Sequence, residues 1–431
     1  MNYNKTLKLN QITDQTLIVG IDVSKDFHVA RAQDFRGIEY GKSITFNNDH
    51  MGIYSLKVWT KDIMIKHEKL NLIVGLEPTG PYWINLSREL KAAGIKVVAV
   101  NPMHVKKSKE LDDNSQTKTD YKDAKIIAQL VKDARYSEPN LLTGVYEELR
   151  NAKKIRELLN SDLIACKNQI YNWLSRFFPE YQNVFKSWES DSFISVLRDY
   201  VFPCVISEVK AEIIYEALPK KLRRGAGKNK IVKLVNVAKN SIGTTEGHMF
   251  AAFEIRHLLN KYELFKHELE DLSAQIEKLC ITLPEVQRLL EIKGIGLNLA
   301  SGIISELGDI RNYSHPDQLI KMAGLSLIEC SSGKKKGQTT ISKRGRSDLR
   351  KFLYQAVFTM LSSNKGFQSL HKYYTERPKN QLKGRQSMMA LARKFLRIIY
   401  TVVTQNIAYD ENKMLSDIKR PDEFLRIAKA M

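Results

Sequence analysis

Cysteine is scarce in this chain. Four residues in 431 are cysteine (Cys166, Cys204, Cys280 and Cys330), all far apart and none in a CxxC pair. That spacing argues against a zinc ligand set and against a disulfide framework, and it suits a reducing cytoplasm. Met1 to Gln15 is polar and has no apolar h-region, so it does not read as a secretory leader. No apolar run approaches the roughly 20 residues needed to cross a bilayer. Long repeats and low-complexity tracts are also missing.

Acid is the other shortage. Asp and Glu number 48 against 68 Lys and Arg, leaving a formal charge of +20 and a pI near 9.5. Such an excess repels itself unless an anionic partner neutralises it, and nucleic acid is the commonest such partner. A solvated basic surface or a membrane-surface protein is the competing reading. Hydrophobic residues make up 43% and charged residues 27%, ordinary for a globular chain, and 431 residues exceed one core, so two or three domains are expected.

Residues 16–135 carry short Val/Ile-rich runs alternating with helical spacing, the pattern of a sheet covered by helices. The predicted strands are Thr16 to Asp22, Phe27 to Ala32, Leu72 to Glu77 and Lys96 to Val100. Helical spacing runs from Trp83 to Ala93. Apolar residues then recur at spacings of three and four over 145–177 (Ile155, Leu159, Leu163, Cys166, Ile170, Leu174, Phe177). They do so again over 258–279 (Leu258, Tyr262, Phe265, Leu269, Leu272, Ile276, Leu279), the seam of a coiled coil. The two segments are expected to pair, in antiparallel fashion. Between them, 185–245 reads as irregular helix, with a basic run at Lys220, Lys221, Arg223, Arg224, Lys228 and Lys230 that Gly225 and Gly227 turn into a loop. From Pro284 onward a third region is expected. It has a glycine turn at Lys293–Gly296, a helix from Leu297 to Leu307 capped by Gly308, a loop rich in Ser, Gly and Lys over 331–346, and a helix from Asp348 to Leu361 with Ser347 as N-cap.

Four acids stand out. Asp22 and Glu77 each close an apolar strand-like run, where a side chain projects from the rim of a sheet. Asp120 and Asp123 stand three apart in a helical segment, which puts both carboxylates on one face. Clustered carboxylates repel unless a cation neutralises them, and hard oxygen ligands favour Mg²⁺, with Mn²⁺ as a substitute. Ions held there activate a nucleophile and stabilise a leaving oxygen in phosphodiester chemistry. The plainer reading is two turn residues and a solvated helix face. Asp112-Asp113 is a competing acidic pair, but its polar surroundings read as loop.

GIDVSKDFHVA, GLEPTGPYW and KTDYKDAKIIAQL, in this order, resemble the catalytic domain of the DEDD insertion-sequence transposases, recombinases guided by a structured bridge RNA. LLEIKGIGLNLASGIISELGDI, followed by MAGLSLIECSSGKKKGQTTISKRGRSDLRKFLYQAV, resembles their second catalytic domain. The resemblance covers about two-thirds of the chain. It implies an RNase H-like (RuvC-like) α/β domain over 1–140, with Asp22, Glu77, Asp120 and Asp123 holding Mg²⁺. A helical coiled-coil region over 141–283 and a mostly α domain over 284–431 complete the chain. The last domain would supply a serine nucleophile in the SSG motif, Ser331 or Ser332, with Ser332, directly before the glycine, preferred. It also implies donor and target DNA, a noncoding guide RNA, and a homo-oligomer in which the acidic domain of one protomer meets the serine domain of another. The segment 185–245 makes the chain longer than the family pattern and is read as an RNA-binding elaboration or a spacer.

A serine hydroxyl needs activation. No His or Asp lies between 331 and 347, and Glu329 is the nearest acid. Activation by metal in a composite site answers this. Lys334, Lys335, Lys336, Lys343, Arg344 and Arg346 flank the loop and would hold phosphates or offset charge in phosphoryl transfer. Lys293, Gly294 and Gly296 form a helix-hairpin-helix-like turn whose backbone N–H groups would meet a phosphate. The competing readings are a plain Ser-Ser-Gly turn and a tight interhelical turn. For function, the alternatives are a resolvase-like endonuclease using water and a non-catalytic nucleic-acid-binding protein.

Overall fold

A computed structural model describes residues 2–112, 120–184, 189–329, 337 and 339–416. The chain divides into two compact units, residues 1–142 and 143–431.

The first unit runs α1 (Asn2–Leu9), β1 (Thr16–Val23), β2 (Phe27–Gln33), β3 (Ile44–Asn47), α2 (His50–Lys66), β4 (Asn71–Leu76), α3 (Tyr82–Ala92), β5 (Lys96–Val100), α4 (Pro102–Asp112), α5 (Asp120–Lys132) and β6 (Tyr136–Ser137). Its strands form one sheet in the order β3-β2-β1-β4-β5-β6. β1, β4 and β5 are parallel, while β2, β3 and β6 join antiparallel. The central strands are apolar on both faces because both are covered, as parallel strands require. One face packs Leu17, Val19, Val74 and Leu76 against α2 and α3. The other packs Ile18, Ile73, Val98 and Val100 against Ile126, Ile127, Leu130 and Val131 of α5. The paired glycines Gly20 and Gly75 lie on this second face. A Cβ on Gly20 would come within 2.1 Å of the Ala124 carbonyl oxygen, so glycine is what lets α5 settle on the strand ends.

The second unit begins with α6 (Val145–Phe177), α7 (Tyr181–Val184), α8 (Asp191–Tyr200), α9 (Pro203–Glu208), α10 (Ala211–Ala217), α11 (Lys220–Ala226), α12 (Lys228–Ala238) and α13 (His248–Ile281). It continues with α14 (Pro284–Leu290), α15 (Leu297–Leu307), α16 (Pro316–Met322), β7 (Leu327–Glu329), β8 (Thr339–Ile341), α17 (Ser347–Ser363), α18 (Lys365–Glu376), α19 (Gly384–Thr404) and α20 (Glu411–Ser416). The long helices α6 and α13 lie against each other. Cys166 donates to the Leu258 carbonyl and the Trp173 indole to that of Ala251, so the pair is antiparallel. One end of the pair joins a core built by α14–α19, the other a core built by α7–α12.

The structure corrects several expectations. The basic run at 220–230 is helical, α11 and α12, interrupted only at Gly227 with φ +66°. Gly225 is absorbed into α11, so a single glycine makes the break. Ser347 is the first residue of α17 and Arg346 is its N-cap, without a side-chain cap bond. Ile155, placed in the α6 seam, is 49% exposed. Glu77 lies one residue beyond β4, and Asp112 ends α4 rather than sitting in a loop, while Asp113 lies outside the described residues.

Candidate active site

The acids of the first unit meet at the carboxyl ends of two neighbouring strands. Ile21 pairs with Leu76 in the parallel β1–β4 ladder, so Asp22 and Glu77 are the next residues along each chain. Side chains alternate along a strand. Asp22 therefore shares the face of Ile18 and Gly20, and that face is the one covered by α5. Asp120 and Asp123 stand in the first turn of α5, where carboxylates also favour the helix dipole. Asp123 is 6% exposed, while Asp22, Glu77 and Asp120 are half-buried. Thr79 holds Glu77 from the following turn, its hydroxyl donating to Oε1 at 2.7 Å.

Their charges act on one another. Burial first, then the charges of Asp123, Asp120 and Glu77, push the Asp22 carboxyl up to about 6, and Lys109 opposes the shift. Lys109 of α4 lies 2.5 Å from both oxygens of Asp123. Lys109 is the site residue that sequence reasoning missed. It stands among other lysines on α4, and nothing in its spacing marks it. Among the described residues, no three acids, histidines or cysteines sit close enough to ligate one ion as placed. The donor set nonetheless suits a hard cation: one buried and three half-buried carboxylates, mutually repelling, with one lysine as the neutralising charge beside Asp123.

In the second unit, Ser331 and Ser332, with Lys334, Lys335 and Lys336, lie outside the described residues, between β7 and β8 in sequence. The flanking positions are described. Lys343 and Arg344 are exposed, Lys343 at φ +53°, and the Lys343 N–H donates to the Gly324 carbonyl. A Cβ on Gly345 would come within 2.3 Å of the Met322 carbonyl oxygen, so MAGL and KRGR pack backbone to backbone. Arg346 turns inward and donates to the Glu306 carbonyl. Glu306, 4% exposed, accepts from Lys153 of α6 at 2.9 Å, and Lys153 also reaches Asp348 and Glu157. This buried charged cluster ties α6, α15 and the start of α17 together. Sequence spacing offered no sign of it, because its members are scattered over 196 positions from 153 to 348. Lys293 is exposed on the turn between α14 and α15. Gly294, φ +102°, approaches Met360 and Ser363 of α17 too closely for a Cβ, whereas Gly296 opens α15 with free space where a Cβ would stand.

A DEDD transposase family model of the IS110 type matches residues 19–179. A second, described as transposase of the IS116/IS110/IS902 family, matches residues 286–375. Among relatives, an uncharacterized 44.8 kDa protein of insertion element IS116 from Streptomyces clavuligerus is 22% identical over 89% of this chain and 94% of its own length. The transposase for insertion sequence element IS1111A of Coxiella burnetii is 23% identical over 91% of each. A pilin gene-inverting protein of Moraxella bovis is 23% identical over 91% of this chain and 97% of its own. The two models between them take in both the acidic centre and the segment holding the SSG motif, and the chain belongs to the DEDD insertion-sequence transposases of the IS110 family.

Proposed function

We propose that this protein cuts and rejoins DNA as the transposase of an insertion sequence, using Asp22, Glu77, Asp120 and Asp123 to hold Mg²⁺ (or Mn²⁺) and Ser332 to take the DNA strand covalently. The reading is supported by Asp22 and Glu77 standing at adjacent strand ends under the helix whose first turn carries Asp120 and Asp123, with Glu77, Asp120 and Asp123 all near enough to act on the Asp22 carboxyl. Bound there, Mg²⁺ supplies charge neutralisation and Lewis-acid activation at a phosphodiester. The strand order and the two covered faces support an RNase H-like fold for residues 1–140. Residues 141–283 are read as a coiled-coil region and 284–431 as the serine-bearing domain.

In the proposed step, the Ser332 hydroxyl gives up its proton as its oxygen bonds to phosphorus. One phosphorus–oxygen bond to the neighbouring sugar breaks, and the departing sugar oxygen takes up a proton, so none is gained or lost overall. One phosphoester linkage replaces another, so the reverse attack by a new sugar hydroxyl rejoins DNA without an outside energy source. Lys343 and Arg344, exposed beside the loop, would hold the scissile backbone, together with Lys334, Lys335 and Lys336. Arg346, given its bond to Glu306, serves to fix the loop's end. Lys293, Gly294 and Gly296 offer a further backbone contact. The DNA sites would be chosen by a structured guide RNA, in an oligomer that brings the acids of one protomer to the serine of another.

Covalent trapping tests this. Protein, element-derived RNA and labelled DNA are incubated with Mg²⁺ and then denatured on a gel. A protein–DNA adduct that vanishes in both Ser332→Ala and Asp22→Ala supports the reading. Cutting without an adduct, and undiminished in Ser332→Ala, replaces it with hydrolysis by water.

A further inference from the structure

The sheet of the first unit carries a second concavity, at the end opposite the acids. A cavity of about 670 Å³ opens at the amino ends of β4 and β5, between α2 and the segment joining α1 to β1. Asn71 opens β4 and Glu77 follows its last residue, so roughly 20 Å of strand, at about 3.3 Å per residue, separates this cavity from the acidic centre. Ligands of parallel sheets collect at the carboxyl ends of the strands. An open cavity at the amino ends is therefore not part of the phosphodiester chemistry.

Its lining holds three lysines and no Asp or Glu. Lys96, the first residue of β5, is already engaged: its Nζ donates to Gln11 Oε1 at 2.5 Å and lies 3.2 Å from Glu138. Lys57 and Lys61 stand one turn apart on α2, and neither has an acid or an acceptor on its Nζ among the described residues. Lys57, Thr60, Lys61 and Met64 follow the i, i+3, i+4, i+7 spacing of one helix face. Ile53, Leu56 and Ile63 fix α2 in the core, so the lysines ride on an anchored helix. The segment joining α1 to β1 is anchored too. The Thr13 N–H donates to the Thr16 hydroxyl oxygen at 3.0 Å, and that hydroxyl donates to the Gln11 carbonyl at 3.3 Å. The cavity thus exists before any ligand enters, which lowers the entropic cost of binding.

The rest of the lining divides by chemistry. Met64, Leu72 and Ile95 are half-buried apolar side chains, and Asn10 and Asn71 bring amides with no side-chain hydrogen bond among the described residues. The matching ligand has a flat apolar body, polar edges on that body, and two negative charges close enough for lysines a turn apart. A nucleoside diphosphate has all three. The volume lies within the roughly 300–1,000 Å³ of small-molecule sites and is too large for phosphate alone. We infer that this cavity binds a free nucleoside diphosphate, with its phosphates on Lys57 and Lys61, its base against Met64, Leu72 and Ile95, and the base edge on Asn10 and Asn71. The inference rests neither on the proposed strand transfer nor on a metal at the acidic centre.

The test uses the full chain in EDTA, so that no metal links a nucleotide to the acidic centre. Binding of ADP, GDP, CDP and UDP is measured by titration calorimetry at fixed salt, beside inorganic pyrophosphate. At least one nucleotide is expected to bind at one per chain. Pyrophosphate is expected to bind about tenfold more weakly or worse, having no base for the apolar side chains. Lys57→Gln/Lys61→Gln weakens the nucleotide by about tenfold or more, because charge-assisted hydrogen bonds to phosphate are lost. Asn71→Asp keeps the shape, adds a negative charge and weakens binding in the same direction. Lys365→Gln/Lys372→Gln removes two exposed lysines of α18 and leaves binding unchanged, which separates a site from general attraction to a basic protein. Unchanged thermal melts without nucleotide verify folding, and Asn71→Asp decides the matter if the double variant of α2 does not fold. The inference is overturned if no nucleotide binds, if pyrophosphate binds as tightly, or if the α2 variant binds like the wild type. It is equally overturned if the α18 variant loses as much affinity as the α2 variant. Asp22→Asn is expected to bind the nucleotide normally, so this site and the proposed chemistry stand or fail separately.

Discussion

Asp22 is the residue whose environment is most at odds with its charge. Its carboxyl, raised to about 6 from an ordinary value near 3.8, makes the folded state the stronger proton binder between those values. The metal-free protein should therefore lose stability as pH rises through that window and regain it as pH falls. Asp22→Asn removes the dependence, and its melting temperature in EDTA at neutral pH should exceed that of the wild type, while metal binding is lost. Thermal melts across pH check this, and an unchanged slope in the variant would contradict it. Lys109 works in the opposite sense. With its nitrogen beside an almost fully buried Asp123, Lys109→Ala should destabilise the metal-free protein by about 1–3 kcal/mol, discounted from the cost of a fully buried broken pair because Lys109 is partly exposed. Saturating Mg²⁺ should recover most of that loss. A melt that is indifferent to Mg²⁺ would show that lysine and metal do not share the carboxylate. The strand-end positions of Asp22 and Glu77 were legible because apolar runs ending in Asp or Glu have a structural meaning. Lys109 was not, since one lysine among Lys106, Lys107 and Lys109 carries no periodic signal.

At the level of elements, most strands and the first long helix were read within a residue or two, whereas α13 begins at His248, ten residues before the expected seam at 258–279. Lys96–Val100 and Val145–Phe177 match the predicted spans. β3 and α2 were not anticipated, because β3 has four residues and α2 a mixed pattern in which Met51, Tyr54, Val58 and Ile65 face outward. The run at 220–230 misled because glycine was weighed as a breaker at two positions when only Gly227 takes a left-handed conformation. Glycine matters more at Gly20. Gly20→Ala places a carbon against the α5 backbone and should cost about 1–3 kcal/mol or more, as overpacking against backbone does. It should also reduce metal-dependent cutting, because Asp120 and Asp123 ride on the displaced helix. Urea denaturation and a cleavage assay read the two effects. In the second unit, Lys153→Met leaves Glu306 buried without its nearest cation and should cost about 3 kcal/mol. Replacing both partners by apolar residues should restore much of that stability in the same denaturation assay, and failure to do so would mean the cluster is not acting as a charge pair.

For the whole molecule, the proposed function joins the basic excess and the acidic centre. On that reading cations gather a polyanion over a surface that would otherwise repel itself, and the carboxylates take a small cation that the polyanion tolerates. The family follows from motifs at both ends of the chain. The charge of the run at 220–230 was legible in the sequence, but its folding as α11 and α12 was not, because that rests on Ile231, Leu234, Val235 and Ala238 being buried. The claim on which the rest depends is that Asp22, Glu77, Asp120 and Asp123 act as one divalent-ion site. Calorimetric titration of Mn²⁺ into the intact chain tests it most directly, comparing wild type with Asp22→Asn, Glu77→Gln and Asp123→Asn. The account predicts saturable binding that each substitution weakens by about tenfold or more, one such step being roughly 1.4 kcal/mol. Binding that is absent in the wild type, or unmoved by all three substitutions, would contradict it.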